Sequence, residues 1–308
     1  VALRDWFRLA RVPLAPTAAF DALACALLAR GPGLARDGAG ALGLVDALLL
    51  AATSVLAYTA GMAGNDLADR VRDRTIHPER PIPSGRIHPA AAAAFVVACA
   101  ALAVALGGGP AGHVAGPLGA VLLAALYNHL AKRRRVPGAI AMGGVRIANS
   151  ATGVLPLLIA GTTSPLALLG PLLIGIYSAG VTILSTAEDR PGPAGGRLLF
   201  ARATSFVAYA GAGILSCVGA RSLALGLFLA GAACTSLAFG RVPRRNSVRL
   251  QVLELLLGLY WLEAMLATGG ARGSDWAFAL TSLGAAVAGI YLSQIAIRAL
   301  RPAAPPTP

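Results

Sequence analysis

The sequence predicts an all-α, multi-pass transmembrane helical bundle of nine or ten spans. Three observations carry that reading: the composition, the recurrence of apolar segments about 20 residues long, and the placement of the basic residues between them. Of the 308 residues, 56% are hydrophobic and 13% charged, and the mean hydropathy is +0.71. A soluble chain of this length carries far more polar surface. The net charge of +13 sits in short loops between apolar segments, a pattern of membrane orientation that argues against nucleic acid as a partner. No cleavable signal peptide is recognised, so the first apolar segment is expected to be retained; the chain opens at Val1, and its true start is left open.

Spans are predicted at 13–30, 41–63, 89–108, 114–131, 138–160, 165–186, 199–217, 222–240, 250–268 and 276–297, in one domain over residues 1–308. Arg4, Arg8 and Arg11 precede the first span, and Arg70, Arg72, Arg74, Arg80 and Arg86 follow the second. Lys132 to Arg135 follow the fourth, Arg190, Arg197 and Arg202 the sixth, Arg241, Arg244, Arg245 and Arg249 the eighth, and Arg298 and Arg301 the last. The opposite connections hold only Arg30, Arg36, Arg221 and Arg272. With ten spans, every basic loop and both termini fall on the cytoplasmic side of a cell (inner) membrane. The seventh and eighth segments are short, and nine spans also satisfy the pattern. Cys25, Cys99, Cys217 and Cys234 lie in apolar segments without ligand spacing and read as small buried hydrophobes.

The second span runs into Asn65-Asp66-Leu67-Ala68-Asp69-Arg70-Val71-Arg72-Asp73. On a helix Asp69 and Asp73 lie one turn apart on one face, and Asn65 to Asp73 cover an arc of about 100°. Three carboxylates so close repel each other, and Mg²⁺ removes the conflict: it takes hard oxygen ligands and joins one or two carboxylates to substrate phosphates. The bland alternative is a solvated helix end facing arginines. A rigid turn follows, His77-Pro78-Glu79-Arg80-Pro81-Ile82-Pro83-Ser84-Gly85-Arg86, whose guanidinium forks suit phosphate oxygens.

Asn-Asp-x-x-Asp-x-x-x-Asp followed by Arg-Pro-Ile-Pro-Ser-Gly resembles the first signature of the UbiA superfamily of intramembrane prenyltransferases, and Tyr127 with Lys132 and Arg133 agrees with it. The resemblance implies a UbiA-like bundle in which the Asp-rich helix binds a polyprenyl diphosphate through Mg²⁺. By position, Asp69 and Asp73 would be the principal metal-side carboxylates, with Asn65 and Asp66 beside them. Arg80, Arg86, Lys132 and Arg133 would approach the diphosphate. The reaction implied is ionisation of an allylic diphosphate and alkylation of a small aromatic or lipid-like acceptor inside the membrane.

The sequence departs from that family on the sixth span, where a second Asp-rich motif is expected. Tyr177 to Asp189 offers Ser178, Thr182 and Ser185 on one stripe, and Glu188 and Asp189 only at its end. Asp189 would be the remaining metal ligand, with Thr182, Ser185 and Glu188 facing the cavity; the alternative is a polar helix end without a metal role. The Ser-Thr-Ala-Glu run is similar to the EboC-like branch of the superfamily.

Arg146 lies about 12 Å into the fifth span and shares a face with Asn149 and Gly153. An intramembrane arginine faces a bundle interior and has a partner. Two readings stay open: contact with the diphosphate or acceptor as a catalytic group, or a structural pair with Asp21, Glu254 or Glu263. Asp21 and Asn149 are candidate cavity residues. His129 has no second histidine at zinc-ligand spacing. The functions implied are prenyl transfer to an acceptor the sequence does not select or, because the second motif is degenerate, non-catalytic binding or transport of an isoprenoid or amphipathic precursor. A secondary transporter is disfavoured: no internal repeat is found, and the densest signal lies at a mouth rather than at the midplane.

Overall fold

The computed structural model describes residues 2–36, 40–108, 113–188, 195–220, 248–270 and 276–299. These form eleven α-helices and no sheet, only an isolated antiparallel bridge between Ala35 and Thr163. They are α1 (Leu3–Leu9), α2 (Ala15–Ala29), α3 (Leu44–Ile76), α4 (Pro89–Gly107), α5 (Ala115–Leu126), α6 (Arg135–Ala151), α7 (Leu155–Ile159), α8 (Leu169–Ser185), α9 (Gly195–Ala220), α10 (Val248–Thr268) and α11 (Trp276–Ala299). Six helical stretches among the described residues are long and apolar enough to cross a membrane: Val12–Ala29, Leu44–Ile76, Pro89–Gly107, Pro165–Ser185, Gly195–Val218 and Val248–Thr268. The predicted eighth span lies outside the described residues, as do Asp189, Arg190, Arg221, Cys234, Arg241, Arg244, Arg245, Arg272 and Arg301. Cys25 and Cys99 are buried free thiols, as expected, and Cys217 is half-buried.

The helices form a bundle because their apolar surface is continuous and their small residues let them approach. Helix α2 packs against α3, α6, α8 and α10, and α6 packs on α8. A Cβ at Gly143 of α6 would stand 2.9 Å from the Gly175 carbonyl oxygen, and one at Gly175 of α8 would stand 2.9 Å from the Gly143 oxygen. The two backbones therefore touch, the arrangement small residues permit in a membrane bundle.

Helix ends differ from the predicted spans where proline acts. The segment 138–160, read as one span, is two helices: α6 ends at Ala151 and α7 starts at Leu155. Pro156 has no N–H to give the Thr152 carbonyl and its ring crowds that oxygen, so the helix stops there. Pro13 starts a 3₁₀ turn, Val12–Leu14, before α2, and Pro165 starts another, Pro165–Leu168, before α8. The short helix α1 was not anticipated. It lies against the start of the bundle, with Trp6 on Phe95 at a centroid distance of 5.1 Å and Leu9 in a small core with Ala63, Ile82, Ile87 and Ala92. At 1.5 Å per residue the 33 residues of α3 span about 50 Å, against about 30 Å of hydrocarbon. Its last three turns carry the Asp-rich segment.

Candidate active site

The acidic stripe of α3 is neutralised one carboxylate at a time by cations from three other places in the chain. Arg80 Nη1, from the Pro-rich loop after α3, is 2.7 Å from Asp73 Oδ2 and 3.4 Å from Asp66 Oδ1. Arg11 Nη2, at the junction of α1 and α2, is 3.0 Å from the same Asp66 oxygen. Lys132 Nζ is 2.7 Å from Asp69 Oδ1 and donates to Asn65 Oδ1 at 3.1 Å. The repulsion that the sequence predicts among these three aspartates is thus met by Arg11, Arg80 and Lys132. Asp66 and Asp73, seven residues apart, share one arginine on the buried side, with side chains 5% and 4% exposed; Asp69 is on the flank at 16%.

Local backbone features place each cation. Arg11 has φ 48°, the left-handed region, and is the only non-glycine residue there among those described. This turn aims its side chain at α3 while its carbonyl accepts a 3.4 Å hydrogen bond from the Tyr58 hydroxyl. A strained residue at a functional site is a recurrent pattern. Burial works against the charge of Arg11, and the Asp66 carboxylate outweighs it, holding the guanidinium pKa above its ordinary value. Arg80 sits in a turn closed by Gly85 (φ 76°), by the Ile87 N–H on the Pro81 carbonyl at 3.0 Å and by the Ser84 hydroxyl on the Arg80 carbonyl at 2.7 Å. Lys132 follows a π-helical turn, Tyr127–Ala131, that ends α5, and its N–H bonds the Tyr127 carbonyl at 3.0 Å. The wider turn inserts a residue and brings Tyr127 and Lys132 to the same side.

Below this cluster a cavity of about 1620 Å³ opens into the bundle. Asn65, Asp66, Arg80, Arg11, Arg8, Tyr127 and Glu188 surround its mouth; Met62, Ala57, Ala124, Val145, Val181, Leu256 and Leu259 give it apolar walls. The volume exceeds the roughly 300–1,000 Å³ of ordinary ligand pockets.

The remaining predicted residues divide. Thr182, Ser185 and Glu188 line the cavity, with the Thr182 hydroxyl on the Ser178 carbonyl at 2.8 Å and the Ser185 hydroxyl on the Thr182 carbonyl at 2.9 Å. Asn149 lines it and donates to the Ala18 carbonyl at 2.9 Å. Arg146 lines it too, but its guanidinium is held by Asp21 Oδ2 at 2.5 Å and Thr17 Oγ1 at 3.2 Å. The structure therefore gives Arg146 the partner Asp21, and Glu254 lies elsewhere, on a smaller pocket beside Arg202 and Trp261. Arg86 is turned to Asp5 of α1 at 2.8 Å and the Glu79 carbonyl at 2.6 Å, and does not line the cavity. Arg133 is exposed and does not line it either. Arg11 is the group that sequence reasoning missed: among three N-terminal arginines nothing but the left-handed turn distinguishes it.

No group of three or more His, Cys, Asp or Glu side chains close enough to hold a metal occurs among the described residues. The oxygens present nevertheless fit Mg²⁺ of the kind that keeps one or two carboxylates and takes its other ligands from phosphate and water. Asp69 and Asp73 each commit one named oxygen to a cation, and Asn65 adds an amide oxygen.

No curated protein matches the chain. Among solved structures, one of digeranylgeranylglyceryl phosphate synthase in membranes aligns with a TM-score of 0.61 at 18% identity, covering 87% of this chain and 98% of that one. A UbiA homologue from Aeropyrum pernix K1, in its apo form, aligns at 0.60 and 22% identity, covering 82% and 96%. A UbiA homologue from Archaeoglobus fulgidus bound to DMAPP and Mg²⁺ aligns at 0.55 and 17% identity, covering 85% and 99%. These likenesses establish a shared fold. The sequence pattern of the UbiA prenyltransferase family matches residues 22–242, well over half of the chain, and the protein belongs to that family.

Proposed function

We propose that the protein is a Mg²⁺-dependent prenyltransferase that moves a polyprenyl group from an allylic diphosphate to a small acceptor inside the cell membrane, at a mouth facing the cytoplasm. The observation that carries this is the charge-balanced cluster on α3, of which Asn65, Asp66, Arg11 and Arg80 line a cavity with apolar walls while Asp69, Asp73 and Lys132 stand outside its lining. A diphosphate at the mouth has Arg11, Arg80 and Lys132 within the same cluster as its donors. Asp69 and Asp73, with Asn65 and Asp66 beside them, would hold Mg²⁺, which would supply Lewis-acid stabilisation of the leaving diphosphate. The cations act on the same developing charge from fixed positions, so little reorganisation is needed. The apolar walls from α3, α8 and α10 accommodate the isoprenoid tail and keep water from the allylic cation.

A second reading, a non-catalytic carrier for an isoprenoid or amphipathic precursor, is favoured by one observation: on α8 the hydroxyls of Thr182 and Ser185 bond their own backbone, leaving Glu188 as that face's acid among the described residues. Release of diphosphate from geranylgeranyl diphosphate by purified protein with Mg²⁺, with shorter and longer donors and mixed quinone-precursor acceptors alongside, separates the two. Release is expected, falling about 100-fold or more in Asp69→Ala and in Asp73→Ala. Asp69-dependent binding of these donors without release would give the function to the carrier.

A further inference from the structure

The deep end of the cavity holds polar groups that donor chemistry at the mouth does not use. Counted along the helices, Arg146 lies about 16 Å from the start of α6 and Ser178 about 10 Å from the end of α8. Thr17, Asn149, Arg146 and Ser178 line one cavity together, and the Arg146 guanidinium gives this polar patch its charge. The charge on that patch is already spent. Asp21 takes the Arg146 guanidinium at 2.5 Å, and Asp21 is fully buried. Glu263 of α10, 2% exposed, adds a second buried carboxyl beside that pair. Glu263 Oε1 and Oε2 and Asp21 Oδ1 receive no donor. The Arg146–Asp21 pair carries no net charge, so it offers an incoming anion no unpaired cation.

Ser178 is the complementary observation. It lines the cavity, is 6% exposed, and its Oγ is buried with no hydrogen-bond partner. Such a hydroxyl gains most from a ligand that brings its own donor or acceptor.

Resting on the prenyl-transfer reading, we infer that this deep patch is the acceptor subsite and that it selects a neutral, hydroxyl-bearing acceptor, held by Ser178 and by the spare N–H groups of Arg146, over one bearing a carboxylate. An anionic acceptor placed here loses its hydration and meets an arginine already neutralised, with a second carboxyl behind it. A hydroxyl needs only hydrogen bonds, and Ser178 and Arg146 have them to give.

Equilibrium binding of 4-hydroxybenzamide and 4-hydroxybenzoate to the full chain in lipid nanodiscs tests the inference, since the two rings differ essentially in charge. The amide is expected to bind at least tenfold tighter than the acid. Ser178→Ala weakens the amide by about tenfold. Asp21→Asn frees the charge of Arg146 and brings the acid up to or past the amide. Equal or tighter binding of the acid to the wild type overturns the inference. So does an amide affinity that Ser178→Ala does not change, or binding of neither ring. Ser178→Ala removes one oxygen atom and keeps the test informative if Asp21→Asn does not fold. Diphosphate release, followed on the same preparation, judges the chemistry separately. Amide-selective binding without release keeps a neutral-ligand subsite and removes prenyl transfer; release without charge selectivity removes only the subsite.

Discussion

Arg80 joins two buried carboxylates to a loop; its loss takes from Asp73 the cation 2.7 Å away and leaves Asp66 with Arg11. Removing one partner of a buried ion pair is costly because the other charge stays behind. Arg80 is 26% exposed, which softens that cost. Arg80→Met should destabilise the protein by about 2–3 kcal/mol, read as a fall in thermal midpoint in nanodiscs. Adding Asp73→Asn should recover most of the loss without restoring diphosphate release. A double variant no more stable than the single one would show that the pair has no such coupling. Much of this clustering was legible in the residues: Asp66, Asp69, Asp73, Arg80 and Lys132 were all expected near one another, and the structure brings them together. Arg11 was not, because its role depends on a backbone turn with φ 48° that no side-chain pattern announces. The partner of Arg146 was equally open, because Asp21, Glu254 and Glu263 sit on different helices and only their rotations about the bundle choose among them.

At the scale of the element, the π-turn at the end of α5 decides where Lys132 points. Inserting an alanine between Ala131 and Lys132 should move Lys132 to the exposed position that Arg133 holds, about 100° round the helix from Asp69. The donor then loses a charge-assisted contact of about 1.5–3 kcal/mol. Affinity for geranylgeranyl diphosphate, followed by titration, should fall ten- to hundredfold while the protein remains folded. An unchanged affinity would mean that Lys132 reaches its place by another route. A one-residue widening of this kind leaves no mark in the hydrophobic period, so the sequence reads 114–131 as a plain span. The break at Pro156 is the opposite case. Proline inside a helical pattern is a stop signal in its own right, and treating 138–160 as one span set hydrophobic length above it.

Among the described residues most arginines gather at the end of the bundle where α3 finishes, and which side of the membrane that end faces can be tested. In a chain with its native cysteines replaced by serine, Gly40→Cys and Ser84→Cys place thiols at exposed positions on opposite ends of α3. With the basic end cytoplasmic, an impermeant maleimide should label Gly40→Cys in intact cells and Ser84→Cys only after lysis; the reverse would invert the assigned orientation. The bundle itself was readable because membrane spans announce themselves by length and apolarity. The cavity was not, because it arises from faces of α2, α3, α6, α8 and α10 that meet only in three dimensions. Helix α3 is about 20 Å longer than a hydrocarbon core is thick, so with its apolar first turns in oil the acidic turns would stand at the boundary with water. The proposed donor, an amphiphile resting in the same leaflet with its head at the water and its tail among the lipids, would meet the site already the right way up. It has only to slide sideways in the plane of the membrane, never to turn over or leave it.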